Sequence, residues 1–177
     1  TRTGIGFPAY YNDEVIIPSL QSRGLTLEDA RDYNIIGCVE PQKAAKTDGW
    51  HDAAFFNMCR PLEMVFSNGM ENGVQVGLRT GELPTFTTFE KFYGAYKAQM
   101  EYFIGLMVNA DNAIDIAHAE RCPLPFQSSM IDDCLERGRS MHGGGARYHD
   151  YGGTPLGLPN VADSLTAVKR AVFEDKL

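Results

Sequence analysis

The sequence lacks the features that mark membrane and nucleic-acid-binding proteins. Its 177 residues contain no apolar run of the roughly 18 residues that a bilayer-spanning helix requires. Positive charge is also scarce, with 16 Lys and Arg against 23 Asp and Glu and a net charge of −7. That balance excludes the basic surface that a nucleic acid or an anionic membrane would bind. We therefore expect neither kind of partner.

The sequence is equally short of paired metal or disulfide ligands. Its four cysteines, Cys38, Cys59, Cys122 and Cys134, include no Cys-x-x-Cys pair and no spacing typical of a zinc site. We expect free thiols, no bound metal and a reducing cytoplasm as the location. The chain begins at Thr1 rather than at a methionine, and its long loops are unusual for a small domain. We therefore expect an internal fragment of a longer protein.

Apolar spacing and helix-capping signals predict a helix-rich α/β fold. The clearest helix begins after Thr87-Thr88-Phe89-Glu90, which has the pattern of a capping box. Further helices are predicted at residues 15–20, after Thr26, at 50–68 with a kink at Pro61, at 128–137 and at 160–173. A buried strand is predicted at 33–37, and loops at 69–86 and 138–157.

Cys38 and Glu40 form the first candidate site, in the stretch Gly37-Cys38-Val39-Glu40-Pro41. Gly37 and Pro41 predict that the chain turns there. In an extended segment, side chains two residues apart point the same way, roughly 6–7 Å apart. A thiol and a carboxylate would then face one cavity. The spacing equally allows a buried cysteine beside a solvent-facing glutamate.

Other residues support weaker alternatives. Cys38 with His51 and Asp52 would make a Cys-His hydrolase, although the adjacent His51 and Asp52 fit a helix N-terminus equally well. The stretch His118 to Arg121 has too few ligands for a metal site, and no Gly-Lys-Ser/Thr follows the Gly143–Gly145 run as in a phosphate loop. A non-catalytic packing module is the remaining alternative.

Two long stretches carry a family resemblance, YNIIGCVEPQ at residues 33–42 and GWHDAAFFN at 49–57. They resemble the cysteine loop of glycyl radical enzymes, the pyruvate formate-lyase-like family, and within it the carbon–heteroatom lyases. The similarity extends from Tyr10 to Arg121 and beyond. It implies part of a ten-stranded α/β barrel, with residues 1–177 as a central or C-terminal portion that carries the cysteine loop at 37–41.

The resemblance also implies which parts lie elsewhere. The glycine that stores the radical belongs to a glycyl radical domain absent from this sequence, and a radical S-adenosylmethionine activating enzyme installs that radical. No other cofactor is implied, and this chain alone would be inactive. The remaining expected partners are the rest of the polypeptide and a second copy in a homodimer. An anaerobic bacterium, and in some cases a microcompartment, is the implied setting.

The chemistry implied by the resemblance is lyase chemistry on a small hydroxylated substrate. Cys38 would become a thiyl radical, Glu40 would act as general base on the substrate hydroxyl, and Asp52 would bind a hydroxyl. The product would be an aldehyde. Val39 stands where pyruvate formate-lyase has a second cysteine, which argues against pyruvate cleavage. The run at 56–66 favours isethionate, giving acetaldehyde and sulfite, over glycerol or propane-1,2-diol dehydration and choline trimethylamine cleavage.

Overall fold

The computed structural model describes residues 10–176, so that Thr1 to residue 9 and Leu177 lie outside it. The helices are α1 (Asp13–Ser22), α2 (Leu27–Arg31), α3 (Cys59–Phe66), α4 (Phe89–Arg121), α5 (Pro125–Ser128), α6 (Cys134–Arg137) and α7 (Leu158–Val168). The strands are β1 (Asn34–Ile36), β2 (Glu40–Gln42), β3 (Thr47–Asn57), β4 (Met70–Glu71), β5 (Val74–Gln75) and β6 (Tyr148–Leu156). Wider or tighter helical turns cover Leu83–Thr85, Met141–Gly145 and Lys169–Glu174.

The strands of the described chain pair in twos, β1 with β2, β3 with β6, and β4 with β5. The strand predicted at 33–37 is confirmed as β1, but its predicted burial is wrong, because Ile36 is 41% exposed. The prediction assumed an apolar strand inside a larger sheet, whose faces would be covered. The two-stranded hairpin of β1 and β2 instead buries few of its side chains.

The helix predicted at 50–68 is wrong for its first half. Residues up to Asn57 belong to β3, whose backbone groups pair with β6, and only α3 is helical. The Asn57 side chain accepts a hydrogen bond from the Cys59 N–H and starts the helix. Pro61 is the third residue of α3, where its missing N–H costs nothing, so the kink predicted there is not needed.

The predictions for residues 128–157 are also wrong in part. The helix predicted at 128–137 is split into two single turns, because Asp133 takes a left-handed conformation with φ +73°. The loop predicted at 138–157 contains β6, which the glycines and Pro155 concealed. A nine-residue strand with three such residues is stabilised by its pairing with β3 rather than by local propensity.

The remaining helices confirm the sequence signals. Thr26 caps α2 by accepting a hydrogen bond from the Asp29 N–H. Thr88 accepts one from the Lys91 N–H at the start of α4, which ends at Arg121, just before Pro123. The predicted loop at 69–86 is confirmed, with the short β4–β5 hairpin inside it.

The chain divides into two units, each with its own apolar cluster. One unit contains the chain up to His51 and Asp115–Gly152, and the other contains Asp52–Ile114 and the chain from Gly153 onward. The first unit buries Leu20, Leu25 and Ala30. The second buries Leu62, Val65, Phe92, Ala95, Tyr96 and Val161. Within residues 10–176, no helix has the length and apolarity needed to cross a bilayer.

Candidate active site

Cys38 lies at the tip of the hairpin formed by β1 and β2. Ile36 pairs with Glu40, so that only Gly37, Cys38 and Val39 form the connecting turn. Gly37 has a left-handed φ of +59°, which glycine adopts at little cost. The Cys38 side chain is exposed and is therefore accessible to other groups. The turn predicted between Gly37 and Pro41 is confirmed, and the alternative of a buried Cys38 is wrong.

The carboxylate of Glu40 folds back over the same turn. Its Oε2 accepts a hydrogen bond of 2.9 Å from the Val39 N–H. A Cβ atom on Gly37 would lie only 2.8 Å from this oxygen, so the glycine also makes room for the carboxylate. The thiol-bearing residue and the carboxylate are thus parts of one tight turn. This geometry differs from the extended segment assumed from the sequence, because Cys38 is in the turn and Glu40 begins a strand.

A buried charge pair supports the chain just after the hairpin. The Asp29 carboxylate, 3% exposed, accepts hydrogen bonds of 2.6 Å from Lys46 Nζ and from the Tyr148 hydroxyl. These two contacts, with Lys46 the larger cause, lower the pKa of Asp29 to about 2. The same pairing raises the pKa of Lys46. Since Asp29 lies in α2 and Tyr148 in β6, the pair joins three segments of the first unit.

Asp52 lies in the middle of β3 rather than at a helix N-terminus. It is exposed, and its Oδ1 accepts a hydrogen bond of 3.1 Å from the Thr154 hydroxyl. Cys38 and Glu40 belong to the first unit, whereas Asp52 is the first residue of the second. The structure therefore brings together Cys38 and Glu40, and gives Asp52 a partner of its own.

His51 has no contact that would support the hydrolase alternative. Its Nε2 atom is buried without a hydrogen-bond partner among residues 10–176, so it does not bond the Cys38 thiol. His51 also lies within β3, next to Asp52, and adjacent strand residues point to opposite faces. The triad of Cys38, His51 and Asp52 is not assembled in the described chain.

A second polar cluster in the first unit was missed by the sequence reasoning. The buried Asp48 carboxylate lies 3.1 Å from His142 Nδ1 and 3.3 Å from His149 Nδ1. His149 Nε2 lies 3.5 Å from Asp115 Oδ1, which also accepts a 2.7 Å hydrogen bond from the Tyr151 hydroxyl. Burial first, and Asp115 next, raise the pKa of Tyr151.

The missed cluster is a network of hydrogen bonds and ring contacts. No group of three or more potential ligands suited to a metal ion occurs among residues 10–176. The His118 ring lies 5.0 Å from the Trp50 ring and 5.4 Å from that of His142. Strand alternation was the sequence signal that could have revealed this network, because residues two apart in a strand lie on the same face. This spacing relates Asp48 to Trp50 in β3 and His149 to Tyr151 in β6.

The glycines at 143–145 form a turn with its own internal bonds. Ser140 Oγ accepts a 3.1 Å hydrogen bond from the Gly143 N–H, and the next glycine has a φ of +80°. The phosphate-loop alternative therefore gains no support from the described structure.

Comparison with known proteins places this site in a family. The family model described as PFL-like, pyruvate formate lyase-like, matches residues 1–177. The chain belongs to this pyruvate formate lyase-like family. The resemblance stated from the cysteine loop is confirmed.

Solved structures of this family have the same fold as the chain. A Roseburia inulinivorans structure, described for 1,2-propanediol dehydration, is 63% identical with a TM-score of 0.93. The B12-independent glycerol dehydratase of Clostridium butyricum is 58% identical, also with a TM-score of 0.93. Each match covers 99% of this chain and 22% of the other. The α/β class predicted from the sequence is confirmed, and the chain is a portion of the glycyl radical enzyme barrel.

Curated relatives within the family are dehydratases and lyases. The (2S)-3-sulfopropanediol dehydratase of Klebsiella oxytoca is 39% identical over 99% of this chain and 21% of its own length. The isethionate sulfite-lyase of Oleidesulfovibrio alaskensis is 34% identical over 99% of this chain and 22% of its own length. This chain therefore spans about a fifth of the length of the relatives it matches.

Proposed function

We propose that the protein containing this chain is a glycyl radical lyase that dehydrates a small vicinal diol. The observation that carries the proposal is the turn at 37–40, where an exposed thiol and a carboxylate folded over the same backbone are held together. Radical dehydration needs both groups at one carbon–oxygen unit, the first to move a hydrogen atom and the second to move a proton.

The choice of a diol rests on similarity. Identity is 63% and 58% to the structures described for 1,2-propanediol and glycerol dehydration, against 34% to an isethionate sulfite-lyase. Propane-1,2-diol and glycerol are therefore proposed ahead of isethionate, which the run at 56–66 favoured. Groups that recognise the substituent at the second carbon are proposed to lie mainly in other segments of the full protein.

In the proposed mechanism Cys38 carries a hydrogen atom in both directions. As a thiyl radical, its sulfur takes a hydrogen atom from the substrate carbon that bears the first hydroxyl, so that an S–H bond forms and a C–H bond breaks. After the leaving group has departed, the S–H bond returns its hydrogen atom to the neighbouring carbon. Cys38 is then a thiyl radical again, and diol has become aldehyde and water.

Glu40 moves a proton between the same two steps. Its carboxylate takes the proton of the first hydroxyl, and the resulting ketyl-like radical expels the second hydroxyl with the electron pair of the C–O bond. The proton held by Glu40 balances the departing hydroxide as water. The Val39 N–H holds the carboxylate over the same turn as Cys38, in the place where the proposal needs the base. Asp52 is proposed to accept a hydrogen bond from a substrate hydroxyl.

The radical itself is proposed to be stored on a glycine outside this chain, installed by a radical S-adenosylmethionine activating enzyme. The residues present fit this arrangement, because Cys38 is exposed at a hairpin tip where another segment can approach it. The chain at 1–177 then supplies the cysteine loop, and other segments of the polypeptide supply the radical and the rest of the pocket.

The test uses the full-length protein, activated anaerobically, with Cys38→Ser and Glu40→Gln variants. Cys38→Ser should abolish turnover, because the O–H bond of serine is much stronger than the S–H bond of cysteine, so the stored radical cannot remove its hydrogen atom. Glu40→Gln should lower kcat by about 10²–10⁴-fold, the usual contribution of a general base. Both variants should still acquire a glycyl radical signal in electron paramagnetic resonance, which separates failed catalysis from failed activation.

Matched controls are available in exposed residues away from the turn. Cys122→Ser and Glu90→Gln make the same chemical changes at exposed positions and should leave turnover unchanged. Full activity of Cys38→Ser would rule out the mechanism. Activity without anaerobic activation, together with labelling of Cys38 by an electrophilic substrate, would favour a hydrolase instead.

A substrate screen decides among the lyases. Propane-1,2-diol and glycerol should give propanal and 3-hydroxypropanal, whereas isethionate would give acetaldehyde and sulfite, and choline acetaldehyde and trimethylamine. Turnover of isethionate or choline with none of either diol would contradict the diol proposal while leaving the roles of Cys38 and Glu40 intact. No turnover of any of the four by radical-bearing protein would favour the non-catalytic alternative.

A further inference from the structure

Two buried polar atoms of the first unit lack a protein partner and lie against the same glycine. They are Gln42 Oε1 and His51 Nε2, neither of which has a hydrogen-bond partner within the described chain. A Cβ atom built on Gly49 would lie 2.6 Å from each of them. The Gln42 side chain is part of a residue only 9% exposed. Buried polar atoms without partners are rare and costly, so this pair calls for an explanation.

Strand alternation relates this pair of atoms to the candidate active site. Glu40 and Gln42 are two residues apart in β2, so their side chains leave the hairpin on one face. Gly49 and His51 are two residues apart in β3 and likewise share a face. Gln42 therefore lies on the Glu40 face of the hairpin, one side-chain repeat of roughly 7 Å further along the strand.

We propose that Gln42, Gly49 and His51 form a binding site for a single hydroxyl oxygen, either of water or of the substrate. Because both atoms are 2.6 Å from one point, they are at most twice that distance apart. One oxygen with two hydrogen bonds of about 2.8 Å spans such a gap. Gly49 is required because any larger residue would place a carbon atom against both polar atoms. The substrate arm of this inference rests on the proposed diol dehydratase.

A hydroxyl is the ligand that suits this pair chemically. A hydroxyl oxygen donates and accepts, so it satisfies an amide and an imidazole for either orientation of the Gln42 side chain and either tautomer of His51. A metal ion does not fit, because one amide and one imidazole are too few ligands and no larger ligand group occurs at residues 10–176. An anion would need a positive group, which Gln42 does not supply.

The bound oxygen would position the hairpin. It would connect Gln42, in the strand that begins with Glu40, to His51 in β3. Gln42 and His51 are thus positioning residues, with an effect that reaches Glu40 through the β2 backbone. The loss of one neutral hydrogen bond corresponds to roughly a tenfold change in an equilibrium or a rate.

The experiment compares Gly49→Ala with Gly152→Ala in the full-length protein. A Cβ on Gly49 would lie 2.6 Å from both polar atoms and would force them to move, whereas one on Gly152 meets only the His51 carbonyl oxygen at 3.8 Å, an ordinary contact. Neither glycine has a positive φ, so backbone strain does not separate the two variants. Gly49→Ala should lower kcat/KM by about tenfold, and Gly152→Ala by less than about twofold.

Crystal structures of the unactivated full-length protein give a readout that does not depend on activity. Electron density for one oxygen bonded to Gln42 and His51 in substrate-free crystals supports water as the source. Density that occurs only in crystals soaked with glycerol supports the substrate hydroxyl. A side chain from another segment bonded to both atoms overturns the proposal, whatever the outcome for the proposed reaction.

Conservative replacement of His51 separates positioning from simple packing. His51→Gln keeps a polar atom near the Nε2 position and should retain most of the activity, whereas His51→Leu should lose about tenfold. If water is the ligand, kcat falls with every substrate; if the substrate hydroxyl is the ligand, KM for the diol rises. Equal activity of His51→Leu, Gly49→Ala and wild-type protein would overturn the site.

Discussion

Gly37 offers a sharp test of how the turn holds the Glu40 carboxylate. Replacing it by alanine has two separable effects. The residue has a φ of +59°, a conformation that disfavours any Cβ, and the new Cβ would lie 2.8 Å from Glu40 Oε2. The first effect is backbone strain, and the second displaces the carboxylate from the Val39 N–H.

The two effects have different expected sizes and different consequences. A left-handed alanine costs about 1–2 kcal/mol relative to an ordinary conformation, and this cost falls mainly on stability. Loss of a hydrogen bond to a charged group costs about 1.5–3 kcal/mol. If the active turn needs the carboxylate in this place, kcat/KM should fall by roughly 10–150-fold, since 1.36 kcal/mol corresponds to a factor of ten.

Gly138→Ala is the matched control for this substitution. Gly138 has a φ of +60°, nearly the same as Gly37, but a Cβ there meets no atom within 4 Å. The control therefore carries the strain without the displacement of a carboxylate. Both variants should lose similar stability, measured as the free energy of unfolding or the thermal midpoint of the full-length protein. Only Gly37→Ala should lose most of kcat/KM.

The assay is aldehyde formation by anaerobically activated enzyme, normalised to the glycyl radical content of each preparation. Equal kcat/KM for Gly37→Ala and Gly138→Ala would show that activity does not depend on this placement of the Glu40 carboxylate. The same conclusion would follow if a crystal structure of Gly37→Ala has the Glu40 carboxylate still bonded to the Val39 N–H while activity is lost, because activity would then depend on something other than that placement.

Three further predictions concern stability. Asp29→Asn should lower the free energy of unfolding by about 2 kcal/mol at pH 7, because folding lowers the pKa of Asp29 from 3.8 to about 2. This stabilisation is complete above pH 3.8 and is lost as the pH falls through 2. The stabilities of the variant and the wild type should therefore converge at low pH in acid denaturation. The stability linked to Tyr151 changes with pH in the opposite direction, because folding raises the pKa of Tyr151. This stabilisation is present below pH 10 and declines above it. Tyr151→Phe should therefore reduce alkaline destabilisation in thermal melts at pH 9–11. Gln99→Leu should cost about 2–3 kcal/mol, measured by amide hydrogen exchange, because Leu78 loses the partners of both its N–H and its C=O.

Local signals in the sequence predicted the elements that are stable for local reasons. Thr26 and Thr88 cap helices because their hydroxyls reach nearby N–H groups, and α4 follows an apolar spacing that continues for many turns. The turn around Cys38 was likewise predicted from Gly37 and Pro41, since glycine permits the left-handed conformation that a tight turn uses and proline fixes its own φ.

Elements that depend on distant pairing were not predictable in this way. β3 and β6 are about 100 residues apart in the sequence, and each obtains its backbone hydrogen bonds from the other. Neither has a strong strand composition, since β6 contains Gly152 and Gly153 as well as a proline. For the same reason the sequence placed His51 and Asp52 at a helix N-terminus and missed the network around Asp48, whose partners His142 and His149 lie about 100 residues further along the chain.

The buried pair of Lys46 and Asp29 anchors the chain close to the Cys38 hairpin. A three-residue turn on two short strands would by itself be only marginally ordered. Lys46 is four residues beyond β2 and is held by Asp29, whose pKa of about 2 keeps its carboxylate ionised near neutral pH. The hairpin is therefore fixed at its base by a contact that ordinary pH changes do not break. In the proposed mechanism Cys38 returns the hydrogen atom to a carbon next to the one it came from, and we expect a turn anchored in this way to keep Cys38 and Glu40 beside the substrate between the two transfers.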